Sequence, residues 1–334
     1  MNDPALVGTE PETERFTVPR RGRSWLAFAI RVVLGLLLLG ALFYFYGFRR
    51  VAAILARERP EYFGAAVALY LAGQVVSAYR WMLLAQLNGL GGRWREYLAY
   101  YFIGMFTNLF IPGLVGGDAA RSTYLGLREN RLAAAVASVL ADRGIGLVAL
   151  FWFASLVILF AGRTPLPAAL LRITLTVGFL CLAGYVVSPW LAAPFEHLKG
   201  RAGRLVSPII PYLRRPVALV PAIALSLLLQ ASLAICQYLL AIGMGAQVSL
   251  AAVMLIVPLA NVVTSLPITL NGLGVREGAY LFLFATVHLQ HQDAIALGLL
   301  WFLTTVLGGL TGVFPFIVEP IPHAVSQSSH MVES

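Results

Sequence analysis

The feature that most constrains this chain is a series of apolar runs, each about as long as the roughly 20 residues a helix needs to cross a hydrocarbon core. They fall at 25–46, 62–86, 132–161, 168–189, 217–242 and 294–318. Inside a bilayer every backbone polar group must be satisfied within the protein, which leaves helices or closed barrels. Unbroken runs of this length predict helices, so the expected fold is all-α, a polytopic helical membrane protein. Composition agrees: 59% of the 334 residues are apolar and 12% charged, and mean hydropathy is +0.81, outside the range of soluble domains.

The net charge of +9 does not point to nucleic acid, because the basic residues sit in short segments beside the spans, where the positive-inside rule places them. Cys181 and Cys236 lie within apolar runs and supply neither a disulfide framework nor a metal site. The first apolar run is too long for a signal-peptide core and lacks a small-residue cleavage motif. Residues 1–22, with Pro4, Pro11 and Pro19, are expected to form a disordered cytoplasmic tail, and 321–334 a second disordered tail.

Two further apolar stretches, 97–117 and 249–270, run into Pro/Gly-rich breaks, "IPGLVGGD" and "LPITLNGLG". Arg15, Arg20, Arg21 and Arg23 argue for a cytoplasmic N-terminus, and Lys199, Arg201, Arg204, Arg214 and Arg215 place the 190–216 connection on the same side. An even number of crossings must separate them. The stretch 97–130 is therefore read as a re-entrant helical hairpin, and 249–290 as a second one. The chain then divides into two membrane repeats, 23–161 and 162–320, each of three spans plus a hairpin, the second inverted relative to the first. Pro112, Gly117 and Arg121 match Pro267, Gly272 and Arg276 in spacing. Matched, Gly/Pro-interrupted apolar segments in two halves are a pointer to a transporter's binding site. Arg49, Arg50, Arg57 and Arg59, in a predicted outside loop, pull against this topology.

Charged residues within a membrane segment are functional candidates by default. Here they are Arg80, Asp118, Arg121, Asp142, Arg143, Arg276 and Glu277. At each hairpin tip, glycines (Gly116 and Gly117; Gly272 and Gly274) let a ligand approach the backbone, the next helix begins with unpaired N–H groups, and an arginine adds donors matched to phosphate oxygens. Arg121 and Arg276 are thus expected to hold a lipid headgroup, with Asp118, Asp142, Arg143, Glu277 and Arg80 tuning charge or coupling protons. Asp118 is expected to cap its helix. Asn108, Pro112, Asn261, Pro267 and Asn271 would break the hairpins. Plainer readings stand beside these: Arg80 snorkelling beside Trp81, Asp142 and Arg143 neutralising each other, Glu277 balancing Arg276, Asn108 and Asn261 satisfying carbonyls of broken helices, and Tyr124 and Tyr280 as interface aromatics.

The glycine loop at 267–278 is no dinucleotide fingerprint, since an apolar helix-length run precedes it where that motif requires a strand. His288, His291 and Asp293 have a spacing a metal could use but lie in a short polar link without a further ligand nearby. Nucleophile-elbow, H-E-x-x-H and P-loop motifs are missing. No cofactor is expected.

Four segments in order, "AYRWMLL", "FTNLFIPGLVGGDAAR", "LADRGIGL" and "SLPITLNGLGVREG", resemble the lysylphosphatidylglycerol synthase transmembrane family over about residues 25–318. The resemblance implies a flippase-like protein of a bacterial or archaeal membrane that moves an amphipathic lipid between leaflets. Members that aminoacylate lipids carry a soluble transferase domain after the membrane part. The chain is therefore expected to be a stand-alone member, not an enzyme, in the cell inner membrane, with an anionic or phosphate-bearing lipid as partner. Two alternatives belong to other classes: a membrane-embedded transferase or hydrolase acting on a polyprenyl phosphate, and a membrane partner of a lipid-synthesis enzyme.

Overall fold

The computed structural model describes residues 48–110, 115–160, 166–198, 206–264 and 274–319, with isolated positions at 33, 37, 40, 44, 200 and 203. Among them the regular elements are helices throughout: α1 (Phe48–Leu55), α2 (Pro60–Leu87), α3 (Trp94–Phe110), α4 (Val115–Glu129), α5 (Leu132–Phe160), α6 (Ala168–Glu196), α7 (Ile210–Arg214), α8 (Pro216–Gly243), α9 (Leu250–Thr264), α10 (Val275–Phe284), α11 (His291–Leu310) and α12 (Val313–Val318). Helices α2, α5, α6, α8 and the α11–α12 stretch are long and apolar enough to cross a membrane. They occupy the runs expected at 62–86, 132–161, 168–189, 217–242 and 294–318. The run at 25–46 lies outside the described residues apart from isolated helical positions.

Proline marks the starts of the two long helices that pack most extensively together. Pro60 and Pro216 occupy the first turns of α2 and α8, where a missing N–H costs nothing. Lipid supplies no hydrophobic drive between helices, so close approach through small side chains holds such bundles. Gly308 faces the ring of Tyr70, Gly309 the side chain of Leu109, and Gly312 the carbonyl of Phe102, so the end of α11 is drawn onto α2 and α3. Helix α6 is the peripheral one and turns Ile173, Phe179, Leu180, Val186 and Trp190 outward.

The two expected hairpins correspond to α3 with α4 and α9 with α10. Their breaks, 111–114 and 265–273, lie outside the described residues, and Pro112, Pro267, Asn271 and Gly272 with them. The first hairpin closes glycine on glycine: a Cβ on Gly104 would come within 2.9 Å of the Gly117 carbonyl oxygen, and one on Gly117 would strike Gly104 and Asn108. Tyr124 and Tyr280 are not interface aromatics. Tyr124 packs against Tyr100 with ring centroids 5.3 Å apart, and the fully buried Tyr280 donates its hydroxyl proton to Gln237.

Candidate functional site

The amide of Gly117, in the first turn of α4, has no intrahelical acceptor. It donates instead to Oδ1 of Asn108 on α3, 2.7 Å away. Asn108 thus satisfies an N–H of the broken hairpin and not a carbonyl. Asp118 is released from capping, and its carboxylate reaches sideways to two arginines. Arg121 approaches Asp118 Oδ1 through Nε at 3.2 Å and Nη2 at 3.0 Å. Arg143 on α5 donates from Nε to Oδ2 at 2.8 Å and from Nη2 to Oδ1 at 3.1 Å.

Successive helical residues point about 100° apart, and this separates Asp142 from Arg143. Asp142 turns into the bundle and is 2% exposed, while Arg143 turns outward with its side chain 42% exposed. The two do not neutralise each other. Asp142 Oδ1 accepts from Nε of Arg80 at 2.8 Å, with Nη2 of Arg80 also at 2.8 Å, and Oδ2 accepts from Nη1 of Arg121 at 3.0 Å. Arg80 also donates from Nη1 to the hydroxyl of Ser226 on α8 at 2.8 Å. It therefore points into the bundle and does not snorkel.

Arg121 is 4% exposed. Its guanidinium lies over the rings of Trp81, 5.1 Å away, and Tyr101, 5.3 Å away, and Trp81 is itself held by a 3.1 Å hydrogen bond from its Nε1 to Ser138. Charge pairing with Asp118 and Asp142 and contact with two aromatic rings make Arg121 a keystone joining α2, α3, α4 and α5. Three arginines against two aspartates leave the network one positive charge in excess. Buried ions each lose several kcal/mol of solvation on leaving water, which explains why each is held by more than one partner.

The network walls a cleft of about 410 Å³. Gln74, Gln230, Asn108 and Asn261 add uncharged polar groups, and Leu147, Leu150, Leu229 and Leu233 form an apolar side. A second cavity, of about 240 Å³, is bounded by Arg276 with Tyr70, Thr264 and Thr305. Asn108 and Met105 border both cavities, so the arginines of the two hairpins serve adjoining spaces and not one common point. Gly274 has φ of 80°, a backbone state that favours glycine. Its N–H donates at 2.6 Å to Oε2 of Glu277, three residues into α10, as in a capping box. The rest of the Glu277 side chain packs on Gly298 of α11.

Gly116 is buried in the first turn of α4. His288 ends the 3₁₀ turn after α10, and His291 and Asp293 lie in the first turn of α11. Among the described residues no group of three or more His, Cys, Asp or Glu side chains is placed to hold a metal ion. Residues that sequence reasoning passed over include Ser226, Tyr101, Gln74, Gln230 and Gln237. The three glutamines were a readable signal, because an amide inside an apolar span must find a partner.

No curated protein gives a significant match to the chain. The protein-family comparison matches residues 28–312 to the family described as "Lysylphosphatidylglycerol synthase TM region". That match covers most of the 334 residues and includes the charged cleft, four of the five described spans whole and most of the fifth, so this multi-pass helical membrane protein belongs to the lysylphosphatidylglycerol synthase TM region family.

Proposed function

We propose that the chain moves an amphipathic lipid with an anionic or phosphate-bearing headgroup between the leaflets of the cell inner membrane, acting as a carrier and not as an enzyme. The observation that carries this reading is the polar cleft with its net positive charge, set among membrane spans and bordered by leucines. A headgroup would occupy the polar side while acyl chains follow the leucine side toward lipid. The family match supports the same direction.

On this reading Arg80 and Arg121 set the electropositive floor of the cleft, and Asp118 and Asp142 keep that floor from trapping an anion. Arg276 contributes charge from the adjoining cavity. The inverted repeat expected from the topology would let one half rock against the other, exposing the cleft alternately to each leaflet. A cytoplasmic N-terminus completes this orientation.

Native mass spectrometry of the gently solubilised protein tests the reading. Wild type should retain an anionic lipid class that Arg276→Gln retains less well. Identical lipid sets, or retention of zwitterionic lipids only, would contradict it.

A further inference from the structure

The charges of the cleft differ in what they face. Arg80, Arg121 and Asp142 are buried, but Arg143 is not. It lies on α5 in line with Val136, Leu140 and Leu147, which are 39%, 58% and 45% exposed and recur at the four- and three-residue spacing of one helix face. This is the stripe that an apolar span turns toward lipid. Arg143 is the twelfth residue of the 29-residue α5, so at 1.5 Å per residue it lies about 17 Å from the helix start, in the middle third of a helix long enough to span a membrane.

The same side chain lines the cleft. Arg143 therefore stands where the cleft meets the bilayer, between α4 and α5, and Asp118 holds it there through two hydrogen bonds. A guanidinium carries five N–H donors; Asp118 takes two, leaving three. Arg121 has no comparable freedom, since it is 4% exposed, pairs with Asp118 and Asp142 and lies over the rings of Trp81 and Tyr101.

We propose that the Asp118–Arg143 pair is a lateral latch, at which the anionic oxygens of a lipid headgroup arriving from the bilayer displace Asp118 from Arg143. The headgroup takes the arginine's paired donors, and Asp118 keeps its pairing with Arg121. Arg143 is thus the first protein group the headgroup meets, and Asp118 is the lipid's competitor. The proposal rests on the lipid-translocation reading above for its purpose, though not for its geometry.

Competition and plain structural pairing predict different signs. In nanodiscs of phosphatidylcholine doped with phosphatidylglycerol, Arg143→Gln should lower retention of phosphatidylglycerol about tenfold, the loss expected for a charge-assisted contact. Asp118→Asn should raise it. Inorganic phosphate added to discs of phosphatidylcholine alone should bind far more weakly, because the latch faces lipid. Thermal unfolding reports whether each variant is folded. Should Asp118→Asn not fold, Arg143→Lys replaces it: the charge stays while the two-pronged grip on Asp118 goes, so retention should stay well above that of Arg143→Gln. Arg143→Gln and Asp118→Asn moving in one direction, Arg143→Lys falling as far as Arg143→Gln, no variant moving, or free phosphate binding as well as lipid would overturn the latch. Opposite shifts in binding, with no lipid movement by the wild type in vesicles, would leave the latch standing and remove the translocation reading.

Discussion

Arg80 and Asp142, 62 residues apart in sequence, meet through Nε and Nη2 of the arginine, both 2.8 Å from one carboxylate oxygen. The other oxygen is taken by Arg121. One carboxylate thus neutralises charge from two helices at once, and its removal would strand both. Asp142→Asn is expected to destabilise the protein by about 3–5 kcal/mol, the cost of breaking a buried ion pair from one side. Thermal unfolding in detergent checks this. An unchanged midpoint would show that water reaches the network.

Arg121→Lys should also lose stability despite keeping its charge. An ammonium cannot serve two aspartates in a fixed plane while covering the rings of Trp81 and Tyr101. The aromatic contacts alone are worth about 0.5–2 kcal/mol each, so Arg121→Lys combined with Trp81→Leu should lose less than the sum of the single changes. A double-mutant cycle on unfolding midpoints measures the coupling. Strict additivity would mean that the Trp81 ring and the guanidinium act independently.

Gly117→Ala should disrupt the first hairpin. The added methyl would meet the Gly104 carbonyl and the Asn108 side chain, and neither helix can yield without moving the cleft. Asn108→Ala should be milder, about 1–3 kcal/mol, because it leaves the Gly117 N–H without its acceptor. Limited proteolysis in the hairpin, faster in Gly117→Ala than in Asn108→Ala, is the expected readout.

Outside the spans, Glu58 introduces a pH dependence. Its carboxylate packs against Gly243 at the end of α8 with neither oxygen hydrogen-bonded, and burial, aided by the charge of Glu61, pushes its pKa from 4.5 up to about 7. The folded state therefore binds the proton more tightly than the unfolded chain. Its contribution to stability is full below pH 4.5 and is lost as pH rises to about 7. Glu58→Gln should match wild type at pH 4.5 and unfold at a higher temperature at pH 8. Equal midpoints at both pH values would show that the carboxylate is solvated.

Local properties were legible in the sequence. An apolar run of span length and a Pro/Gly break are each set by neighbours in the chain, so α5, α8 and the helices on either side of the two breaks could be placed from residues alone. Arg80, Asp118, Arg121, Asp142 and Arg143 do converge around the cleft, while Arg276 bounds the adjoining cavity, but the pairing of these charges could not be read. Asp142 and Arg143 are adjacent in sequence, yet the helical turn sends them to opposite surroundings, and their partners come from α2 and α4. Asp118 looked like a helix cap, three residues before Arg121. Asn108 reaches across the hairpin and takes that role, which only the packing of Gly104 on Gly117 makes possible. Arg121, the plausible anion donor by type and position, is enclosed by aromatic rings that lie 20 and 40 residues before it. Arg143 is the donor left exposed at the cleft.

The most direct test of the central claim is lipid movement in proteoliposomes carrying a headgroup-labelled phosphatidylglycerol, with an impermeant quencher added outside. Wild type is expected to bring inner-leaflet label to the quencher faster than protein-free vesicles, and faster than it moves a labelled phosphatidylcholine. Arg143→Gln should slow that movement while remaining folded. Wild-type vesicles indistinguishable from protein-free ones, for both lipids, would contradict the account.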